Sequence, residues 1–449
     1  MVKICLPSAL RRMIDGSDSV EVQGTNASEA LRGLESRCPE LRGWVLDERG
    51  ELRRHVILFR GGEQIVPTTR LASGDTIHVV QSISGGSAGS GMELLVSTKK
   101  GLYVLAGDRD GELATTVRHL AGENVDFAAR DPRNGRTFAA TSGPFGPRLF
   151  WSDDLSGEWQ QAMELAFPED TGAALERVWN VVPGEEDGVL WAGVAPAALF
   201  KSTDGGKTWS LVRSLWDVPS RPQWEGGLGG LCLHSICPWP GEPDRLSVAI
   251  SAAGVWHTTD GGATWSHRVE GLVPRYLPEE ARQDTVMHCV HNLHRSPVQP
   301  ETFYMQFHGG VYRSDDAGES WIDISTPGLG TDGGLPADFG FPLVVDPHDP
   351  DRAFVIPLVA DVDRVTPDGR LRVYETRDRG SSWRALGNGL PQEQAHLTIL
   401  RQAFHHDGRD PLGLYFGATS GEVFASADGG ATWRTIAQRL PPVLAVRCG

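Results

Sequence analysis

The chain has 449 residues and a mass of 48.7 kDa, room for two or three domains, and its 58 acidic against 42 basic side chains give a formal net charge of −16. That balance argues against nucleic acid or an anionic membrane surface as a bulk electrostatic partner. No apolar run approaches the ~20 residues of a membrane span. The six cysteines lack a framework spacing and Met1–Leu6 lacks the form of a signal peptide, so a reducing cytoplasm is the expected location.

Residues 1–86 read as a first unit. Strands are predicted at Val2–Leu6 and Ser19–Val22, joined by a turn at Asp15-Gly16. Asn26-Ala27-Ser28-Glu29 is a helix-start signal, and the helix runs through Ala30, Leu31, Leu34 and Arg37 to stop at Pro39. Short strands follow at Trp44–Leu46, His55–Phe59 and Thr76–Val80, and the unit closes on Gly85-Gly86. This is the element order of a β-grasp (ubiquitin-like) fold. It resembles the MoaD/ThiS-type sulfur carriers, including Leu71-Ala72-Ser73-Gly74-Asp75-Thr76-Ile77 before the last strand and the Gly-Gly end, over about a fifth of the chain. The resemblance implies a carrier tail at Gly85 and Gly86, adenylated by an E1-like enzyme and converted to a thiocarboxylate. Two glycines make a thin tail that passes a narrow adenylation channel. Here the chain continues through Ser87-Ala88-Gly89-Ser90-Gly91, a Gly/Ser linker over 87–91, so Gly86 ends in a peptide bond. A JAMM-type protease that cleaves after Gly86, a carrier without its chemistry, or two joined chains each accommodate that departure.

From Met92 to Gly449 a repeat takes over. Ser202-Thr203-Asp204-Gly205-Gly206-Lys207-Thr208-Trp209 recurs at Thr258–Trp265 and Ser426–Trp433, in weaker form at Ser314–Trp321 and Thr376–Trp383, and worn at Ser152–Trp159. In every copy an Asp stands five residues before a Trp, after a short apolar run. The pattern is a hairpin turn: the Asp carboxylate accepts from backbone N–H groups, a Gly takes positive φ, and the Trp packs. Repetition every ~50–60 residues means an array or a propeller. Gly101-Leu102-Tyr103-Val104 supplies a seventh hairpin without the signature, and Val443–Arg447 is a surplus strand at the far end. The predicted architecture over 92–449 is therefore a seven-bladed β-propeller of about four strands per blade, in which the C-terminal strand completes the first sheet and hides its edge. The chain as a whole is predicted to be mainly β.

A second recurring piece is an apolar strand ending in a Pro-rich turn, as at Pro132, Pro240, Pro297 and Pro347, read as the innermost strand of each blade. Aligning these turns puts Asp126, His234, His291, Phe341 and Arg401 at one level around the channel. The octets themselves resemble the Asp-box (BNR) repeats of the sialidase and sortilin superfamily, over about four fifths of the chain. That resemblance implies that the boxes are structural and lie away from the ligand face. Sialidases also carry an Arg-Ile-Pro segment near the start of the propeller, which this sequence lacks, so exo-sialidase activity is not expected.

Candidate chemistry is placed at the channel. His234, His291 and His308 are candidate metal or catalytic imidazoles, against the plainer reading that they bond backbone in a crowded channel; no cofactor is otherwise predicted. Glycoside hydrolysis needs two carboxylates ~5–9.5 Å apart, and Glu225, Asp284 and Asp338 precede innermost strands. Trp179, Trp216, Trp224 and Phe339 are candidate sugar platforms, while Arg177 and Arg401 suit a carboxylate or phosphate. Two functions follow. One is a carrier-like module joined to a propeller that binds a small acidic ligand or a protein. The other is a glycosidase-like hydrolase at the channel mouth.

Overall fold

A computed structural model describes residues 1–6, 14, 19–42, 44–46, 50, 52, 56–60, 63–81 and 91–449, apart from 145, 156, 164, 228, 283–285, 326 and 327. The chain divides into two units, Met1–Gly91 and Met92–Gly449. Strand dominates, and no helix of the described residues is long and apolar enough to cross a membrane.

The first unit contains β1 (Val2–Cys5), β2 (Ser19–Val22), α1 (Ala27–Arg37), β3 (Val56–Arg60), β4 (Glu63–Ile65) and β5 (Thr76–Gln81). They form one five-stranded sheet in the order β2-β1-β5-β3-β4, with β1 and β5 parallel and the other pairs antiparallel. Asn26 caps α1 as its sequence predicts: its side-chain oxygen accepts from the Glu29 N–H at 2.9 Å, and the Glu29 carboxylate accepts in return from the Thr25 N–H and hydroxyl. Ala30, Leu31 and Leu34 lie on the buried face of α1, against Ile4, Leu58 and Ile77 of the sheet. The strand expected at Trp44–Leu46 is absent. Val45 and Leu46 are buried side by side, without the alternation of a half-buried strand, and the Leu46 N–H donates to the Glu35 carboxylate at 2.9 Å; one isolated bridge, Leu46 to Leu52, remains. The Asp15-Gly16 turn, His55, Gly85-Gly86 and most of the linker lie outside the described residues.

Among the described residues, the second unit forms seven four-stranded antiparallel sheets. Their first strands are Val443–Cys448, Asn124–Arg130, Arg177–Pro183, Leu233–Trp239, Val290–Arg295, Gly340–Val345 and Phe404–His406. Each of these contacts the next around a closed ring, the arrangement of a β-propeller. The ring closes through the chain's end: Val443–Cys448 pairs antiparallel with Gly91–Thr98, so the sheet holding the first hairpin takes its innermost strand from the C-terminus.

The Asp boxes fill the turn between the third and fourth strands of a sheet. In the third sheet the Asp204 carboxylate accepts from the Lys207 and Thr208 N–H groups at 3.0 Å and from the Thr208 hydroxyl at 2.7 Å. Gly206 has φ +84, and a Cβ there would meet the Phe138 ring of the preceding sheet at 2.5 Å, so only glycine lets the turn dock. Trp209 is buried beside it. Asp260, Asp316, Asp378 and Asp428 repeat the bonding. In the worn copy the Ser152 hydroxyl donates to the carbonyls of Asp154 and Glu158. Because neighbouring strands are antiparallel, the third strand runs with the first, and the boxes lie at the end of the ring where the first strands finish.

The first strands share one irregularity. In six of them a residue is inserted opposite the second strand: Asp126, Trp179, His234, His291, the Phe341-Pro342 pair facing Ile356, and Leu444. Such a bulge takes its residue out of the ladder and re-aims its side chain. The residues aligned from the Pro-rich turns, Asp126, His234, His291 and Phe341, are all bulge residues, and Arg401 precedes the seventh first strand.

Candidate functional site

Two cavities occupy the ring's axis. One of about 590 Å³ is lined by the starts of the first strands and the loops beside them, on the face opposite the Asp boxes. The other, of about 210 Å³, is lined by the later residues of those strands, such as Ala129, Cys237, His294 and Cys448. Between them the side-chain amides of Asn180 and Gln402 both donate to the His234 carbonyl, at 2.8 and 3.2 Å. The Asn292 amide donates to the carbonyls of Phe341 and Arg401 at 3.2 Å, so a polar plug ties neighbouring sheets together across the channel.

The wider cavity is the chemically richer. Trp179, Phe341 and Leu444 supply its apolar wall. Five cations border it, Lys99, Lys100, Arg177, Arg364 and Arg401, against a single carboxylate, Asp126, among the described residues. The Asp126 side chain is 7% exposed; it accepts from the Asn124 amide at 2.9 Å and lies 3.3 Å from Arg177, and no donor stands at hydrogen-bond distance from its Oδ2. Burial raises its pKa, against the opposing pull of Arg177 and of the nearby Ser142 hydroxyl and Asn124 amide. Trp179 is half-buried, with the guanidinium groups of Arg177 and Arg401 at 5.1 and 5.0 Å from its ring centre, cation–π distances. Its indole N–H is also without a partner. Arg401, 9% exposed, has as its polar side-chain partners among the described residues the Cys232 thiol at 3.7 Å and the Ser251 hydroxyl at 3.4 Å, and its Nε has none. Three buried polar atoms with no protein partner thus belong to residues lining one cavity.

The histidines stand elsewhere. His234 is wholly buried, its Nε2 2.9 Å from the Val290 carbonyl and its Nδ1 3.0 Å from the Ser235 hydroxyl. His291 makes the same kind of link, Nδ1 to the Gly340 carbonyl at 2.7 Å, with its ring stacked on Phe341. Burial, aided by Arg401, holds both imidazoles far below the usual histidine range, so they are neutral struts between adjacent sheets. His308 is half-buried, 3.8 Å from Asp361 and against the Tyr276 ring. The trio expected to share a metal is therefore split. Cys289 takes the place of His234 and offers a ligand atom within 4.8 Å of those of His291 and His308. The donors suit a soft dication. Burial pushes the Cys289 thiol up to about 11, and the Arg401 guanidinium that acts on both Cys289 and His291 opposes a second positive charge there.

Other expectations are also redrawn. Trp224 is no platform: it is buried against Trp256, and its N–H reaches the Ser220 hydroxyl at 3.2 Å. Trp216 packs on Phe167 under the Arg221 guanidinium. Glu225 is exposed and does not line the cavity. Asp338 is half-buried beside His308, where its charge favours the imidazolium, and also lies off the cavity. Phe339 is buried among His291, His308 and Phe341. Asp284 lies outside the described residues. The reading of the sequence passes over Lys99, Lys100 and Arg364, which carry no motif. Lys99-Lys100 turns the first hairpin and Arg364 sits in the sixth sheet's loop between second and third strands, a turn position of the kind that faces this mouth in any antiparallel blade.

Comparison with known proteins follows the same division. A family model described as BNR/Asp-box repeat matches residues 200–211. A xyloglucanase of Hypocrea jecorina (strain QM6a) is 28% identical over 317 residues, covering 63% of this chain and 35% of its own, so the chain spans about a third of that relative's length. The solved structure of a GH74 enzyme from Niastella koreensis is 15% identical over 80% of this chain and 56% of its own, with a TM-score of 0.51, a likeness of fold. The structure of SAMP1 from Haloferax volcanii matches 19% of this chain and 98% of its own at 30% identity, with a TM-score of 0.17. The ring of sheets is thus a BNR-type β-propeller, similar in fold to a glycoside hydrolase.

Proposed function

We propose that the propeller is a glycosidase-like hydrolase, seven-bladed, that takes its saccharide at the mouth opposite the Asp boxes. The observation that carries this is the pairing, in one 590 Å³ cavity, of the half-buried Trp179 ring with Asp126, a buried carboxyl whose Oδ2 has no donor at hydrogen-bond distance. An aromatic face at a saccharide site offers stacking area, and a carboxyl whose pKa is raised by burial has the form of a general acid for the leaving oxygen; the second carboxylate that hydrolysis needs lies outside the described lining of this cavity. The likeness to a xyloglucanase supports the same reading. In the test, the whole chain is assayed for reducing-end release on a panel of polysaccharides and aryl glycosides. Asp126→Asn is expected to lower kcat at least ~100-fold, the scale of lost general acid catalysis, while Trp179→Ala raises KM. The wild-type rate falls as pH rises through the Asp126 pKa, since the acid acts protonated. No turnover by the wild type on the full panel would reduce the propeller to a binding module.

The first unit has its own reading. Its sheet order β2-β1-β5-β3-β4, with a helix between β2 and β3 and a parallel β1/β5 pair, supports a β-grasp module of sulfur-carrier type. Incubation of the full chain with an E1-like enzyme, ATP and a JAMM-type protease, followed by intact-mass measurement, tests it. Release after Gly86 with gain of sulfur is expected; an unchanged mass rejects the carrier role.

A further inference from the structure

The mouth cavity is charged opposite to the chain that builds it. The molecule carries −16 overall, yet five of the six ionisable Lys, Arg and Asp side chains lining the cavity are cations. Four of the five have an outlet: Arg177 faces Asp126, Arg364 donates to the Asp361 carbonyl at 2.8 Å, and Lys99 and Lys100 are exposed to water. Arg401 has none of these. It is more than nine-tenths buried, its guanidinium faces the Trp179 and Phe341 rings and reaches a thiol and a hydroxyl, and among the described residues no carboxylate lies within 4.0 Å of it. A buried charge without a counter-charge is costly, and a guanidinium presents a planar fork of donors matched to carboxylate, sulfate and phosphate oxygens.

We propose that the counter-charge to Arg401 arrives with the ligand, so that the saccharide taken at the mouth is an acidic one, carrying a carboxylate or sulfate group that docks between Arg401 and the rim cations while a sugar face lies on Trp179. This deepens the hydrolase reading and rests on it for the saccharide. It also separates the chain from a relative whose name specifies xyloglucan. Trp179 connects the two parts of the ligand, because the Arg401 and Arg177 guanidinium groups both lie about 5 Å from its ring centre.

The experiment is calorimetric titration of the full chain with uronate-containing oligosaccharides, their carboxyl-reduced neutral counterparts, and sulfate or a simple carboxylate alone. The acidic oligosaccharide is expected to bind 10- to 100-fold more tightly than its neutral counterpart, the range of a charge-assisted hydrogen bond or pair. The preference should shrink as salt rises. Arg401→Met should abolish the preference while the weak affinity for the neutral sugar persists. Arg364→Gln, at the half-buried rim, should reduce the preference severalfold and covers the case in which the Arg401 variant misfolds. Equal affinity for the acidic and neutral sugars, or hydrolysis confined to neutral ones, overturns the acidic class and leaves the hydrolase standing. Equal affinity for free anion and acidic sugar overturns the saccharide part. Binding of none of the probes overturns the proposal outright.

Discussion

At the scale of single residues, the mouth holds a buried charge at a cost in stability. Arg401 keeps a guanidinium in a site that offers it sulfur and hydroxyl but no carboxylate. Replacing a buried, uncompensated charge by a side chain of similar length and no charge removes its desolvation cost. Arg401→Met is therefore expected to raise stability by ~1 kcal/mol or more in urea unfolding of the unliganded protein, in the same variant that loses acidic ligands. A destabilised variant would mean that the guanidinium serves packing instead. The histidines show the reverse economy. His234 and His291 look like chemistry in the sequence, yet each spends a ring nitrogen on the next sheet's carbonyl. Sequence places both at the right level of the channel, but cannot tell which way a bulged side chain turns. Trp224 fails for a related reason: an indole near a predicted mouth and an indole against Trp256 are written with the same letter.

At the scale of elements, the Asp box is legible because everything it needs is local. The carboxylate, the three or four donors it satisfies and the left-handed glycine fall within eight consecutive residues. Its electrostatics follow from the same bonds. The Thr264 hydroxyl and N–H, with the Thr258 hydroxyl, hold the Asp260 carboxyl down to about 2. At Asp428 burial pushes the carboxyl up, but the bonds from Thr432 and Ser426 outweigh it and its pKa is also lowered. A carboxyl lowered on folding contributes stability that is present above its unfolded value of about 4 and is lost as pH falls through the folded one. The propeller is thus expected to lose melting temperature between about pH 4 and pH 2. Asp428→Asn should flatten that slope and cost ~1–2 kcal/mol at neutral pH; a melting temperature independent of pH over that window would show that the boxes are dispensable. By contrast, the strand expected at Trp44–Leu46 is replaced by a contact eleven residues away, Glu35 to the Leu46 N–H, which no local pattern records.

At the scale of the whole molecule, periodicity and counting carry the architecture, and long-range charge does not follow from either. Seven hairpins with a surplus strand at one end and a missing one at the other are enough to predict a closed ring, and Val443–Cys448 does pair with Gly91–Thr98. The site is only partly legible. The Pro-rich turns give the level of Asp126, and the same count back in the seventh unit gives that of Arg401. That Lys99-Lys100, Arg364 and Arg401 converge from the first, sixth and seventh sheets depends on ring closure across some three hundred residues. Nor does a net charge of −16 hint at a cavity bordered by five cations.

The repeated bulge has a consequence for how such a mouth is built. A residue inserted opposite the ladder carries little of the strand pairing, so its side chain is spared for other work while the sheet's register stays put. The six bulges divide that work: Asp126, Trp179, Phe341 and Leu444 turn to the mouth cavity, while His234 and His291 bond the neighbouring sheet. The same irregularity thus lines the cavity from four sheets and locks neighbouring sheets together from two others, with the ladder resumed beyond it in each.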